Sequence, residues 1–174
     1  VVGQTYSDFE WIVIDGGSTD GTLEILKDYQ PQINKFVSEK DSGVYDAMNK
    51  GIDLAEGEYL LFLNGGDSLF SNDVLANVWN DNLFSGDVLY GNCCVLKKDG
   101  SSDFLDFPEQ ITHYYFLDYC INHQSAFIKK NLFQKYGYYD RQYRILSDYD
   151  RWLDFQRKGA VYSKVPFVIS NFKF

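Results

Sequence analysis

The chain has 174 residues, 45% of them hydrophobic and 18% aromatic, which excludes an intrinsically disordered polymer and supplies the apolar material for one packed domain. Sixteen basic residues stand against 25 acidic ones, and the net charge of -9 excludes a partner held mainly through phosphate contacts, such as nucleic acid. No apolar run approaches the roughly 18 residues of a membrane-spanning helix. Cys93, Cys94 and Cys120 form neither an even framework nor a CxxC pair, so a reducing compartment is expected and the cytoplasm is the expected location.

The chain opens at Val1 without a Met and without a charged-then-apolar leader, so no signal peptide is read. Residues 1–6 resemble a helix tail and a turn. Residues 9–15 are a short β-branched run that stops at Gly16-Gly-Ser-Thr-Asp-Gly21, a strand entering a glycine-rich turn. Residues 22–29 place Leu23, Ile25 and Leu26 at helical spacing ahead of Pro31. A second strand is expected over 33–37, then a polar loop over 39–43. Residues 45–54 form a helical segment with Ala47, Met48, Gly51 and Ile52 on one side, and the wholly apolar residues 59–63 suit a strand covered on both faces. Strand and helix thus alternate through the first 65 residues, the pattern of a parallel sheet whose ligands sit beyond the carboxyl ends of its strands.

Later elements are less regular. Residues 88–91 and 93–96 read as strands flanking a small turn, and Lys98-Asp-Gly-Ser101 is a hairpin signal before residues 103–107. Residues 111–119 are aromatic and mixed, 124–128 strand-like, and 131–136 helical up to Gly137. The clearest late helix covers 147–158 and stops at Gly159. With no repeat or linker, one domain is expected over residues 1–174.

Three groupings could carry chemistry. Asp15 before Gly16-Gly17 puts a carboxylate where glycine backbone lets a ligand approach, able to accept from a base imide or ribose hydroxyl; the alternative is an ordinary turn with Asp20 or Thr22 as a helix cap. Asn64-Gly-Gly-Asp67 ends the apolar strand with oxygen donors suited to Mg²⁺ or Mn²⁺, or is a simple turn. Ser147-Asp-Tyr-Asp150 fits a capping box with Ser147 as N-cap, and Asp148 in its first turn is either a dipole partner or a general base. His113 and His123 are too few for a histidine metal site. His123, beside Gln124, is a cleft ligand or a core residue, and Cys93-Cys94 is expected to be buried packing.

Taken in order, the motifs resemble the family 2 glycosyltransferases of the GT-A fold. The resemblance rests on residues 4–22, Ser42-Gly-Val-Tyr-Asp-Ala-Met-Asn-Lys-Gly51, residues 55–59, Phe62-Leu-Asn-Gly-Gly-Asp67, Asn122-His-Gln-Ser125 and Ser147-Asp-Tyr-Asp-Arg-Trp-Leu153. It implies an α/β fold with a central, mostly parallel sheet flanked by helices, a nucleotide-binding half over residues 1–92 and an acceptor-side half over 93–174. Asp15, Gly17, Asp41, Asn49 and Lys50 would bind nucleotide. Asp67, with Asn64, would hold a divalent metal, Mg or Mn, at the place of the DxD motif. Asp148 would be the base of an inverting transfer, and His123 and Gln124 would line the acceptor or donor-sugar cleft. A UDP-linked donor, a glycan or lipid-linked acceptor, surface polysaccharide synthesis and peripheral contact with the inner membrane face follow from the same resemblance. The pattern departs in carrying Asn64 and Gly66 where the family has more acid, and Ser147 where it often has Glu. The family's first strand is also absent before Gln4, which would leave a sheet edge unpaired and one wall of the nucleotide pocket missing. A domain of the same fold that binds nucleotide or glycan without turnover is the alternative, and a nucleotidyltransferase a poorer third.

Overall fold

The computed structural model of the chain describes residues 1–80, 83–112 and 114–173, so His113 lies outside the described residues. Two sheets carry the fold. β1 (Ile12–Asp15) pairs in parallel with β2 (Lys35–Ser38), joined by α1 (Thr22–Tyr29). After α2 (Val44–Leu54), the strands β3 (Tyr59–Leu60), β4 (Ser68–Leu69), β5 (Val88–Leu96), β6 (Ser102–Leu105), β7 (Ala126–Lys129) and β8 (Tyr162–Lys173) form a second sheet in the order β3-β7-β5-β8-β4, with β6 on β5. Helices α3 (Val74–Trp79), α4 (Tyr115–Asp118), α5 (Lys130–Tyr136) and α6 (Ser147–Arg157) complete it.

The fold is that of an α/β GT-A domain, although the larger sheet is more mixed than the mostly parallel one expected. Only β5 and β8 run parallel there; the other pairs are antiparallel. The β5–β6 pair is a tight hairpin, which can only reverse the chain, while the other antiparallel pairs join strands distant in sequence.

Strand alternation builds a core on each face of the second sheet. Val88 and Tyr90 of β5 and Ala126 and Ile128 of β7 face Met48 and Ile52 of α2, Phe133 of α5 and Trp152 and Phe155 of α6. Leu89 and Phe127 point the other way, against Val74, Leu75 and Val78 of α3 and Val165 and Ile169 of β8. In α2 the buried residues Tyr45, Met48 and Ile52 recur at helical spacing. Its C-terminal carbonyls are held by lysines, Leu54 O by Lys35 Nζ at 2.7 Å and Ala55 O by Lys130 Nζ.

Three expectations are corrected. The small turn around Gly91 is absent: β5 runs unbroken from Val88 to Leu96, and its register shifts there instead. A Cβ at Gly91 would lie 2.6 Å from Phe167 O and 2.7 Å from Val165 Cγ2, so this glycine serves close strand approach. Residues 124–128 split into a 3₁₀ turn (His123–Ser125) and the strand β7. The twelve-residue β8 has no counterpart in the sequence reading, because Pro166 interrupts its pattern. In the structure Tyr90 pairs with Lys164 and Asn92 with Val168, so Pro166 falls in the irregular stretch where a missing N–H costs no ladder bond.

Among the described residues β1 pairs with β2 along one edge and has no strand partner along the other. Between that edge and the second sheet lies a cavity of about 1020 Å³, walled by Ile12 and Ile14 of β1, Met48 and Gly51 of α2, and Leu60 and Phe62, and reaching Asn64 at one end.

Candidate active site

The turn after β1 is built by Asp15. Its carboxylate accepts the Gly17 N–H at 3.1 Å, the Ser18 N–H at 3.1 Å and the Ser38 hydroxyl at 2.6 Å. Hydrogen bonds from Ser18, then from Ser38, pull its pKa down to about 2. Gly17 has φ +86°, which requires glycine. Asp41 crosses to the same turn: a Cβ on Gly16 would meet its Oδ2 at 2.7 Å, and its Oδ1 accepts the Gly43 N–H at 3.0 Å. Asp15, Gly17 and Asp41 are therefore brought together at the carboxyl ends of β1 and β2.

Asn49 is engaged away from this turn, whereas Lys50 pairs with Glu39 on the loop that carries Asp41 and feels the Asp41 charge. The Asn49 amide clamps the backbone of Tyr139, donating to its carbonyl at 2.8 Å and accepting its N–H at 3.0 Å. Lys50 lies 2.8 Å from Glu39 and 3.8 Å from Asp46 on its own helix, and the Glu39 hydrogen bond foremost raises its pKa.

The second cluster forms where α6 meets the loop after β3. Leu146, at φ +72° the one non-glycine residue in the left-handed region among the described residues, turns the chain into α6. Leu146, and not Ser147, is the N-cap; Ser147 is wholly buried and its hydroxyl has no partner among the described residues, which corrects the expected capping box. Asp148 then accepts the Tyr45 hydroxyl at 2.9 Å on Oδ1 and faces His123 Nδ1 at 3.0 Å on Oδ2. Burial pushes its pKa up, but the hydrogen bonds from His123, Tyr45 and the Tyr149 N–H outweigh burial and hold it below the ordinary carboxylate range. His123 also meets Asn64 Nδ2, 3.0 Å from its Nε2. Gln124 beside it is buried in the 3₁₀ turn.

The Asn64–Asp67 loop is a tight turn in which Asp67 N–H donates to Asn64 O at 3.0 Å and Asp67 Oδ2 accepts the Asn64 N–H at 3.3 Å. Burial raises the Asp67 pKa, against the Asn64 and Lys173 backbone hydrogen bonds and the nearby His123. Asn64 Oδ1 takes no hydrogen bond among the described residues. No group of three His, Cys, Asp or Glu side chains among them could cage a metal. Asn64 Oδ1 and the Asp67 carboxylate are oxygen donors of the kind a hard divalent cation can take one or two of, beside phosphate and water.

Tyr45 was not singled out from the sequence, although it starts the apolar face that continues at Met48 and Ile52. Arg141 was missed as well. It pairs with Asp46 at 3.1 Å, which with the Ser42 N–H brings Asp46 to about 2, and it lines a cavity of about 300 Å³ with Ser42, Tyr45, Tyr143 and Arg144.

This is an α/β domain with carboxylates gathered at its strand ends. Residues 1–81 match the family model described as glycosyl transferase family 2. A "PGL/p-HBAD biosynthesis glycosyltransferase" of Mycobacterium bovis is 37% identical over 164 residues, covering 86% of this chain and 59% of that protein. A glycosyltransferase of Rickettsia typhi is 29% identical over 171 residues, covering 92% and 54%. The chain thus spans between half and three fifths of the length of these curated relatives. Among solved structures, TarS of S. aureus superposes with a TM-score of 0.73 at 20% identity, covering 99% of this chain and 32% of that one. Its 1–349 form in complex with UDP-GlcNAc gives 0.69 at 19% identity, covering 99% and 52%. Over residues 1–81 the chain is thus similar to the family 2 glycosyltransferases, and over most of its length to the named relatives. No helix of the described residues is long and apolar enough to cross a membrane.

Proposed function

We propose that this domain catalyses inverting transfer of a hexose from a nucleotide-linked donor, with UDP as the carrier, to a hydroxyl of a glycan or lipid-linked acceptor in surface polysaccharide or glycolipid synthesis. The observation that carries it is Asp148: an ionised carboxylate at the first turn of α6, held by Tyr45 and His123, next to the oxygen donors of the Asn64–Asp67 loop. Asp148 takes the acceptor hydroxyl proton as that oxygen attacks the anomeric carbon, and the bond from that carbon to the diphosphate oxygen breaks with its electron pair on the nucleoside diphosphate. Asn64 Oδ1 and Asp67 would hold Mg or Mn, which supplies positive charge to the leaving diphosphate in a protein of net charge -9. Asp15, Gly17 and Asp41 form the nucleoside rim. The TarS complex with UDP-GlcNAc supports a UDP-linked donor, and the name of the Mycobacterium bovis relative supports a glycolipid acceptor. Exposed Leu117, Tyr119, Ile145 and Leu146 give the acceptor side an apolar margin suited to peripheral contact with the membrane face that carries such an acceptor.

The test is UDP release from a panel of UDP-sugars with Mn²⁺, beside UDP binding by calorimetry. Asp148→Asn is expected to lower turnover about 10²- to 10⁴-fold with UDP binding retained, and Asp67→Ala to abolish the Mn²⁺ dependence of binding. Indifference to both substitutions leaves a nucleotide- or glycan-binding domain without turnover.

A further inference from the structure

Both ring nitrogens of His123 are engaged, one by each half of the site. Nδ1 lies 3.0 Å from Asp148 Oδ2 and Nε2 lies 3.0 Å from Asn64 Nδ2. The side chains of His123 and Asp148 are each only 16% exposed, so water does not substitute for these partners at little cost. The Asn64 amide nitrogen can only donate, so Nε2 must accept, and the ring proton belongs on Nδ1, from which it donates to Asp148. With Nδ2 spent on His123, Asn64 is fixed about its last torsion and its Oδ1 is turned away from the ring, the atom left without a hydrogen-bond partner among the described residues.

We propose that His123 is a positioning residue, which ties the orientation of the base Asp148 to the orientation of Asn64 in the cation-binding loop. The 3₁₀ turn that carries it is rigidly placed. Gln124 and Ser125 are buried, and the Ser125 hydroxyl meets that of Ser170 on β8 at 2.5 Å. The ring thus acts as a fixed strut between two segments that are 59 residues upstream and 25 residues downstream of it. One face of the strut sets where the acceptor proton goes, and the other sets which atom of Asn64 faces the diphosphate. This deepens the glycosyl-transfer reading and rests on it for the names of the two roles, while the bridge itself stands on geometry alone.

Two substitutions divide the ring. Asn places its amide near the Nδ1 position and can still donate to Asp148; Gln reaches the Nε2 position and can still accept from Asn64. His123→Asn is expected to lose less turnover at saturating donor than His123→Gln while weakening Mn²⁺-dependent UDP binding tenfold or more. His123→Gln is expected to show the reverse, the larger fall in turnover and the smaller loss of Mn²⁺–UDP affinity. Nitrogen-15 NMR of the protein without metal or nucleotide gives a readout independent of activity. The wild type should show a protonated Nδ1 and an unprotonated Nε2, and the Asn64 side-chain amide signals should move in His123→Asn and stay in His123→Gln. An Nε2–H tautomer, or Asn64 signals indifferent to both variants, overturns the proposal, as does an equal loss of both functions in both folded variants. If Asp148→Asn and Asp67→Ala leave turnover and Mn²⁺–UDP binding untouched, the transfer reading falls, and the NMR result still decides the bridge.

Discussion

The Tyr45 hydroxyl donates to Asp148 Oδ1 at 2.9 Å, so the first turn of α2 secures one oxygen of a carboxylate 103 positions further along the chain. That bond favours the ionised carboxylate. Burial, then the Asp148 charge, pushes the Tyr45 pKa up to about 12, so Tyr45 remains a donor throughout the working range. Tyr45→Phe removes the bond, and the Asp148 pKa rises. The expected outcome is an acid limb of the kcat/KM profile displaced to higher pH, with the loss greatest on the acid side. At the plateau the loss is about tenfold, the value of a charge-assisted bond of ~1.5 kcal/mol. A pH–rate series on wild type and variant checks it, and an unmoved acid limb contradicts it.

Ser147 offers a prediction of opposite sign to the one its sequence context suggests. A Ser N-cap replaced by Ala costs about 1 kcal/mol. Here the hydroxyl is buried without a partner among the described residues, and α6 starts from Leu146 instead. Ser147→Ala is therefore expected to leave the urea midpoint unchanged or raised, since a buried polar atom is replaced by nothing that needs solvating. A loss near 1 kcal/mol would restore the capping role.

The contrast shows where the sequence was informative. Residues whose partners are a few positions away were legible: Gly16-Gly17 after Asp15, the Lys98-Asp-Gly-Ser101 turn, and the helices α1, α2 and α6 with their apolar spacing. The strand pair β1 and β2 followed, because a parallel pair demands an intervening crossover. What failed was set by distant neighbours. Gly91 looks like a turn residue until β8 lies against it, and Pro166 looks like a strand breaker until the β5 register shift is seen. The site behaved in the same way. Asp148, Asp67 and Asn64 were picked out by motif order, yet the part of Tyr45 and the two-sided engagement of His123 exist only once α2, the 3₁₀ turn and α6 converge. Asn49 shows the converse, a motif residue whose amide both donates to and accepts from the Tyr139 backbone, a long-range contact its sequence position does not announce.

Gly91 also gives the sharpest stability test. A methyl group there would sit 2.6 Å from Phe167 O, 2.7 Å from Val165 Cγ2 and 2.9 Å from Ile169 Cδ1, with backbone and packed core side chains that cannot yield freely. Gly91→Ala is expected to destabilise by about 1–3 kcal/mol, the usual range of overpacking. For a chain of this length that is a Tm lower by about 2–4 °C per kcal/mol. Gly65→Ala is the control, because nothing lies within 4 Å of its Cβ position and its φ is not positive. Thermal melts of the two variants should separate clearly, and equal Tm values would refute the close-approach account of β5.

Acid should loosen the β1–β2 pair before the larger sheet. The Asp15 pKa falls from an ordinary 3.8 to about 2 on folding, chiefly through Ser18 and Ser38. A group whose folded pKa is depressed contributes stability that is complete above its unfolded value, so the contribution is full above pH 3.8 and is lost as pH falls through about 2. Ser38→Ala removes the 2.6 Å bond and part of that depression. The variant should be less stable than the wild type near neutrality, and the gap should close as the pH falls from 3.8 towards 2. Because β1 has one strand partner among the described residues and a two-stranded sheet is marginal by itself, the effect belongs in local opening. Hydrogen exchange of residues 12–15 and 35–38 over that pH range, corrected for intrinsic rates, should show protection lost there while residues 88–90 of β5, paired with β7 on one side and β8 on the other, remain protected. A variant difference that persists unchanged to pH 2 would show that Ser38 acts through packing and not through the Asp15 charge.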